Sequence, residues 1–119
     1  MGQVMDAAPL SPDTQALKEK VGEASGFLKK LSNPDRLLIA CTLVEGERSV
    51  RELEDVLGIR QPGLSQQIAE LREAGLIVGR KEGKQVFYRL GDPRVETFMR
   101  TMHALFCKPQ DISQAPAVR

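Results

Sequence analysis

Two short stretches of helical periodicity, separated by a turn, constrain the fold of this chain most strongly. Ser49 and Glu52 have the spacing of a capping box, in which each side chain satisfies a backbone amide of the other residue, so a helix begins there. Gly58 is placed to end that helix in the left-handed conformation, and a second helical period ends at Gly75. The inner face of the first helix is predicted to consist of Val50, Leu53, Val56 and Leu57, and the apolar period of the second consists of Leu64, Ile68 and Leu71. Two short helices joined by a tight glycine-containing turn match the helix-turn-helix pattern.

A β-hairpin is predicted directly after this pair of helices. Residues 76–78 are apolar, residues 79–85 are rich in charge and glycine, and apolar residues recur at every second position of 86–90. Glu82-Gly83 is the predicted turn. The pattern indicates a two-stranded wing with charges at its tip.

Two more helices are predicted before the helix-turn-helix. The first follows Ser11-Pro12-Asp13 and has a narrow apolar stripe, which suits packing on its own domain or on a second copy of the chain. That stripe consists of Leu17, Val21, Ala24, Leu28 and Leu31. The second runs from about Pro34 to Glu45, with Asn33 as its cap, and it is apolar almost all round, as is typical of a helix inside a domain. Cys41 on this helix is therefore expected to be buried or nearly so.

A last helix begins at Asp92-Pro93 and is ended by Pro109, which places Cys107 on its final turn. Its predicted inward residues are Val95, Phe98, Met99, Met102, Leu105 and Phe106. The fold class is thus mostly α-helical with a small β-hairpin, a winged helix-turn-helix in which the hairpin lies between the fourth and fifth helices. One domain is expected over residues 13–108, between a flexible N-terminus, 1–12, and a flexible C-terminal tail, 109–119.

Composition narrows the function classes. The 119 residues are 41% hydrophobic and 28% charged, as in an ordinary globular domain, and no window reaches the roughly 18 apolar residues of a membrane span. A cytoplasmic protein with no membrane partner is expected, and two cysteines there are not a structural disulfide framework. With one histidine, no phosphate-binding glycine loop and no nucleophile motif, neither an enzyme nor a cofactor is expected.

The distribution of charge says more than its total. The net charge of +1 does not by itself indicate nucleic acid. Between Arg60 and Arg94, however, seven basic residues stand against four acidic ones, a local excess of three that gives a modest basic footprint.

Two phrases resemble the ArsR family of bacterial repressors: residues 61–77, QPGLSQQIAELREAGLI, and residues 31–39, LSNPDRLLI. The likeness covers roughly residues 17–107. It implies a homodimer formed through the first and last helices, which binds double-stranded operator DNA and releases it when an inducer arrives. The chain departs from the family at Arg60, where a capping serine is usual, and at Gln67, where histidine is common.

Gln66 is the best-placed side chain for reading DNA, because it points outward from the second helix of the motif. Two hydrogen bonds from a glutamine to adenine contribute about 1 to 3 kcal/mol of discrimination. Gln61 and Ser65 match positions that contact the operator in the family. Three basic side chains on the wing would reach the DNA backbone or the neighbouring minor groove: Arg80, Lys81 and Lys84. An ordinary solvated surface, or a winged helix that binds only proteins, is the alternative.

Cys41 on the second helix and Cys107 at the end of the last one resemble the arrangement in the sulfide- and persulfide-sensing branch of that family. The branch implies that a reactive sulfur species attacks one thiolate and the other closes a bridge containing extra sulfur. A repressor that senses thiol oxidation by peroxide is an alternative. A metal-responsive repressor is another, but the third helix has no thiol and His103 is the single histidine, so no metal site is expected.

Separate roles are expected for the two cysteines. His103 lies four residues before Cys107 on one helix face and Lys108 adjoins it, so we expect His103 to tune Cys107 and Cys107 to react first. Cys41, among leucines, suits the resolving role. The alternative is that both are small core residues, because free cysteine is among the most buried residue types.

Overall fold

The computed structural model describes residues 7–107, and over that range it has five helices and a three-stranded antiparallel sheet. The elements are α1 (Pro12–Leu31), α2 (Pro34–Val44), β1 (Arg48–Ser49), α3 (Val50–Leu57), α4 (Gly63–Glu73), β2 (Ile77–Glu82), β3 (Gln85–Leu90) and α5 (Pro93–Phe106). This order confirms the predicted winged helix-turn-helix. Of the two termini predicted to be flexible, residues 1–6 and 109–119 lie outside the described residues.

Side-chain caps start four of the five described helices. Ser11 accepts a hydrogen bond from the Thr14 amide at the start of α1, and Asn33 accepts one from the Arg36 amide at the start of α2. Asp92 does the same for α5. At α3 the predicted capping box is complete: the Glu52 amide donates to Ser49 Oγ at 3.1 Å, and the Ser49 amide donates to Glu52 Oε1 at 2.8 Å. A proline opens α1, α2 and α5, where its missing N–H costs no hydrogen bond.

The core is formed by one face of each of α2 to α5, the last residue of α1 and the inner side of the sheet. Its fully or nearly fully buried apolar residues are Leu31, Ile39, Ala40, Leu43, Leu53, Leu64, Ile68, Leu71, Leu76, Ile77, Tyr88, Val95 and Met99. Helix α2 supplies three of them and is central, as predicted, although Leu38 on its outer side is 48% exposed.

The sheet has the order β1-β3-β2 and differs from the prediction in two ways. Glu82 pairs with Gln85 as the last register pair, so the hairpin turn is Gly83-Lys84 and not Glu82-Gly83. Gly83 has a φ of 63°, which glycine adopts without steric cost. The third strand, β1, pairs antiparallel with β3 and is only two residues long, too short to show an alternating pattern.

Apolar side chains remain exposed on α1 and at the end of α5. Leu17, Val21 and Leu28 are each at least half exposed on α1. Leu105 and Phe106 were expected to face inward, but they are 65% and 76% exposed, because the last turn of α5 extends beyond the core. These exposed residues on two helices fit the prediction that α1 and α5 contact a second copy. Over the described residues, no helix combines the length and apolar character needed to cross a membrane.

Candidate nucleic-acid interface and thiol pair

Helix α4 has one buried face and one exposed face. Leu64, Ile68 and Leu71 are buried at spacings of four and three and anchor the helix in the core. Ser65 and Gln66 are exposed, as predicted for residues that contact a ligand outside the domain. The helix therefore presents a polar side chain, Gln66, from a rigidly packed backbone.

The N-terminus of α4 has an unusual cap. Pro62 occupies the capping position and has no side-chain acceptor. Gln61, one residue earlier, takes over: its Oε1 accepts from the Ser65 amide at 3.1 Å and from Ser65 Oγ at 2.8 Å. The structure thus brings together Gln61 and Ser65, two predicted DNA-binding residues, and uses them to satisfy the first turn of α4.

Helix α4 is also tied to the two helices that precede the motif. Arg36 at the start of α2 donates through Nη1 to Gln67 Oε1 at 2.7 Å and through Nε to the Lys30 carbonyl at 2.6 Å. Lys30 pairs with Glu70 at 2.6 Å, and this hydrogen bond lowers the pKa of the Glu70 carboxyl. Gln67, one of the two departures from the family pattern, thus contacts α2. No local pattern in the sequence indicates the role of Arg36, because its partner Gln67 lies 31 residues away.

On the wing, the three predicted basic residues are not equivalent. Arg80 donates from Nε and Nη2 to Glu47, at 2.7 to 3.0 Å, and from Nη1 to Glu82. Its guanidinium also lies 4.7 Å from the centroid of the Phe87 ring. These hydrogen bonds raise the pKa of Arg80 and lower that of Glu47. The charge of Arg80 is therefore compensated inside the protein, by a carboxylate 33 residues away that no local sequence signal indicates.

Lys81 and Lys84 have a different environment. Both are exposed, and neither forms an ion pair with a carboxylate anywhere in residues 7–107. Lys84 lies in the hairpin turn itself. These two lysines, together with the exposed Arg89 on β3, are basic residues of the wing that form no ion pair within residues 7–107.

The two cysteines are free thiols on α2 and at the C-terminal cap of α5. Cys41 is half-buried, and its Sγ lies 3.3 Å from His103 Nε2. Cys107 is exposed, and its amide donates to the His103 carbonyl at 2.9 Å. His103 was expected to tune Cys107, but its ring contacts Cys41 instead, because α2 packs directly against α5 whereas Cys107 lies beyond the last helical residue.

The environment of Cys41 disfavours its thiolate. Burial raises the pKa of the Cys41 thiol, and the negative charges of Glu45 and of the Cys107 thiolate raise it further. Cys41 therefore carries less thiolate at neutral pH than an exposed cysteine would, which fits the resolving role predicted for it.

A cleft of about 430 Å³ opens between α2 and α5 beside Cys41. It is lined by Cys41, Val44, Glu45, Met99, Arg100 and His103. Within residues 7–107, no three or more histidine, cysteine or acidic side chains are grouped so as to hold a metal ion.

Known proteins with similar sequences identify the family. The model of the bacterial regulatory proteins of the arsR family matches residues 33–78. A biofilm growth-associated repressor of Agrobacterium fabrum is 47% identical over 96 residues, which are 81% of this chain and 82% of that protein. The chain belongs to the arsR family. This membership confirms the resemblance found in the two sequence phrases.

Solved structures of two similar proteins superpose on this chain. The transcriptional repressor BigR from Xylella fastidiosa has a TM-score of 0.78 at 43% identity, over 81% of this chain and 98% of that one. Reduced HlyU from Vibrio cholerae has a TM-score of 0.74 at 38% identity, over 79% of this chain and 99% of that one. The arsR-family fold therefore extends over the helix-turn-helix, the wing and the flanking helices.

Proposed function

We propose that this arsR-family protein is a transcriptional repressor that binds double-stranded operator DNA as a homodimer. In this proposal, a reactive sulfur species, a persulfide or a polysulfide, links Cys41 and Cys107 and releases the protein from DNA. The observation that carries the proposal is a free thiol on each of two helices that pack together, Cys41 on α2 in contact with His103 and Cys107 at the C-terminal cap of α5. The similarity to proteins named as repressors supports the direction of regulation.

DNA recognition is assigned to α4 and the wing. Gln66 would read a base edge in the major groove, since its side chain is exposed and its backbone is fixed by the buried face of α4. Gln61 and Ser65 would contact the backbone or a base at the N-terminus of α4, in exchange for their mutual hydrogen bonds. Lys81 and Lys84 would contact phosphates, because their charges are not compensated within residues 7–107.

A homodimer would present two copies of α4. The half-exposed leucine and valine side chains of α1, together with Leu105 and Phe106 on α5, supply apolar surface for a two-fold contact. A dimer of this kind reads two half-sites about one helical turn of DNA apart. Any change in the angle between the two copies would then disturb the spacing of the two reading helices.

The chemistry of the switch begins at Cys107, the exposed thiol. Its thiolate attacks the terminal sulfur of a persulfide, RSSH; the sulfur-sulfur bond of the reagent breaks, and RS⁻ leaves. A second persulfide transfers its terminal sulfur to Cys41 in the same way. The terminal sulfur of one protein persulfide then attacks the inner sulfur of the other and expels HS⁻. The product is a trisulfide, and the transferred sulfur that leaves as HS⁻ has taken up the two electrons lost by the thiols.

Arg36 provides a route from this bridge to DNA. A bridge between Cys41 and Cys107 would draw the end of α5 toward α2. Helix α2 holds α4 through Arg36 and Gln67, so a displacement of α2 is passed to the reading helix. The switch would act through the position of α4 without blocking its surface.

Wild-type protein and five reagents test the proposal: a persulfide donor, a thiol reductant, hydrogen peroxide, zinc and a chelator. Duplexes selected from a random pool by the reduced protein serve as the DNA, and binding is followed by fluorescence anisotropy. A persulfide donor is expected to release the DNA, and a thiol reductant to restore binding. Release by hydrogen peroxide at equal concentration would favour a general thiol-oxidation sensor, and a response to zinc or to a chelator would favour a metal sensor. Failure of the reduced protein to select any DNA would refute the repressor assignment.

A further inference from the structure

The cleft between α2 and α5 has a composition that the sulfur chemistry alone does not require. Its walls include the apolar side chains of Val44 and Met99, and Cys41 and His103 lie within it. It also contains one acidic and one basic side chain, Glu45 from α2 and Arg100 from α5. A volume of about 430 Å³ lies in the range of small-molecule sites in proteins.

The two charges of the cleft are open to a ligand. The carboxylate of Glu45 has one ion-pair partner, Arg48, whose Nη2 lies 3.4 Å from Glu45 Oε1, and the Glu45 side chain is 70% exposed. Arg100 pairs with Glu96 of its own helix through Nε and Nη2, and its side chain is also 70% exposed. Such exposed pairs contribute little stability, so a ligand group can replace or share them at small cost. Opposite charges on the two walls match a zwitterion.

We propose that this cleft binds a low-molecular-weight persulfide of the α-amino-acid type and presents its terminal sulfur to Cys41; the inference rests on the proposed function. Arg100 takes the carboxylate of the ligand, for which a guanidinium has the matching two-pronged geometry, and Glu45 takes its ammonium group. The apolar side chains of Val44 and Met99 contact the sulfur-bearing carbon.

The sulfur transfer in the cleft is balanced without an added oxidant. The Cys41 thiol gives its proton to His103 Nε2, 3.3 Å away, and its thiolate attacks the terminal sulfur of the ligand. The sulfur-sulfur bond of the ligand breaks, and the amino-acid thiolate leaves with the proton held by His103. The products are the Cys41 persulfide and a free amino-acid thiol. Selection of the reagent then happens at Cys41, whereas the exposed Cys107 accepts any persulfide.

The test compares the two cysteines separately, in Cys107→Ser and Cys41→Ser variants of the full chain. The probes are cysteine persulfide, N-acetylcysteine persulfide, which lacks the ammonium group, and 2-mercaptoethanol persulfide, which lacks both charges. Mass spectrometry gives the rate of persulfide formation at each thiol. Dividing the Cys41 rate by the Cys107 rate for each probe removes the intrinsic reactivity of the reagent, because Cys107 is not among the residues that line the cleft.

Cysteine persulfide is expected to give the highest ratio of the Cys41 rate to the Cys107 rate. Each charge contact should raise this ratio by about two- to fivefold, which corresponds to the free energy of an exposed ion pair. In the Cys107→Ser background, Glu45→Gln should abolish the preference for cysteine persulfide over the N-acetyl probe. Arg100→Gln should abolish the preference for the N-acetyl probe over the uncharged probe. Comparing probes within one variant cancels any change in the reactivity of Cys41 itself. Equal ratios for all three probes would overturn the inference while leaving the proposed function intact. No modification of either cysteine by any probe would instead refute the proposed function.

Discussion

Replacing Lys84 should reduce the salt dependence of DNA binding, whereas removing Arg80 together with its partner should not. Lys84 lies exposed in the hairpin turn without a carboxylate partner among the described residues, and Arg80 is held by Glu47 and Glu82. Each phosphate contact contributes about 0.9 to the slope of log K against log salt concentration. In a dimer with two copies of the substitution, Lys84→Gln should therefore lower the slope by about 1.8.

The matched control is the double variant Arg80→Gln with Glu47→Gln, which removes one positive and one negative charge and leaves the net charge unchanged. Because Arg80 already donates to two carboxylates, we expect the slope of this variant to stay at the wild-type value. Fluorescence anisotropy at salt concentrations from about 50 to about 300 mM measures both slopes. A fall of about 1.8 in the double variant would show that Arg80 contacts phosphate and would refute the reasoning from its ion pairs.

Three further expectations concern stability and thiol reactivity. Leu71→Ala removes a fully buried side chain and should lower the free energy of unfolding in urea by about 2 to 5 kcal/mol. The control Val56→Ala changes a side chain of a residue that is 54% exposed and should lower it by less than about 0.5 kcal/mol. Equal losses in the two variants would contradict the core assignment. Ser49→Ala removes the capping box of α3 and should cost about 1 kcal/mol in the same assay. Alkylation of Cys41 should rise with pH around a midpoint above that of a free cysteine, because burial raises its pKa, and Glu45→Gln should lower that midpoint by removing a nearby negative charge. A midpoint unmoved by that substitution would count against the electrostatic part of the explanation.

The fold could be predicted from the sequence wherever a local signal specified it. The capping box at Ser49, the caps at Asn33 and Asp92 and the helical apolar spacing of α4 each act within a few residues, and the structure has all of them. The strand β1 could not be predicted, because two residues are too few to show an alternating pattern. It is defined by its antiparallel pairing with β3. The exposure of Phe106 could not be predicted either, because helical spacing does not distinguish an apolar residue that faces the core from one that faces a second copy of the chain.

The exposure of several predicted site residues could be predicted from the sequence, but the contacts of the site could not. Gln66, Lys81 and Lys84 are exposed as expected, because exposure follows from helix periodicity and from the position of a hairpin turn. The contact of His103 with Cys41 joins residues 62 positions apart, and the ion pair of Arg80 with Glu47 joins residues 33 apart. Such pairs depend on how the elements pack together, and the spacing of His103 and Cys107 along one helix could not indicate the contact of His103 with Cys41.

The most direct test of the central claim measures DNA release and the covalent state of Cys41 and Cys107 in the same samples. Wild-type protein, Cys41→Ser and Cys107→Ser are titrated with a persulfide donor while bound to the selected duplex, and each sample is then analysed by intact-protein mass spectrometry. We predict that wild-type protein leaves the DNA in proportion to the fraction that carries a sulfur bridge between the two cysteines, and that both serine variants stay bound although their remaining thiol is modified. Equal release of either serine variant, or release of wild-type protein without a bridge, would contradict the account.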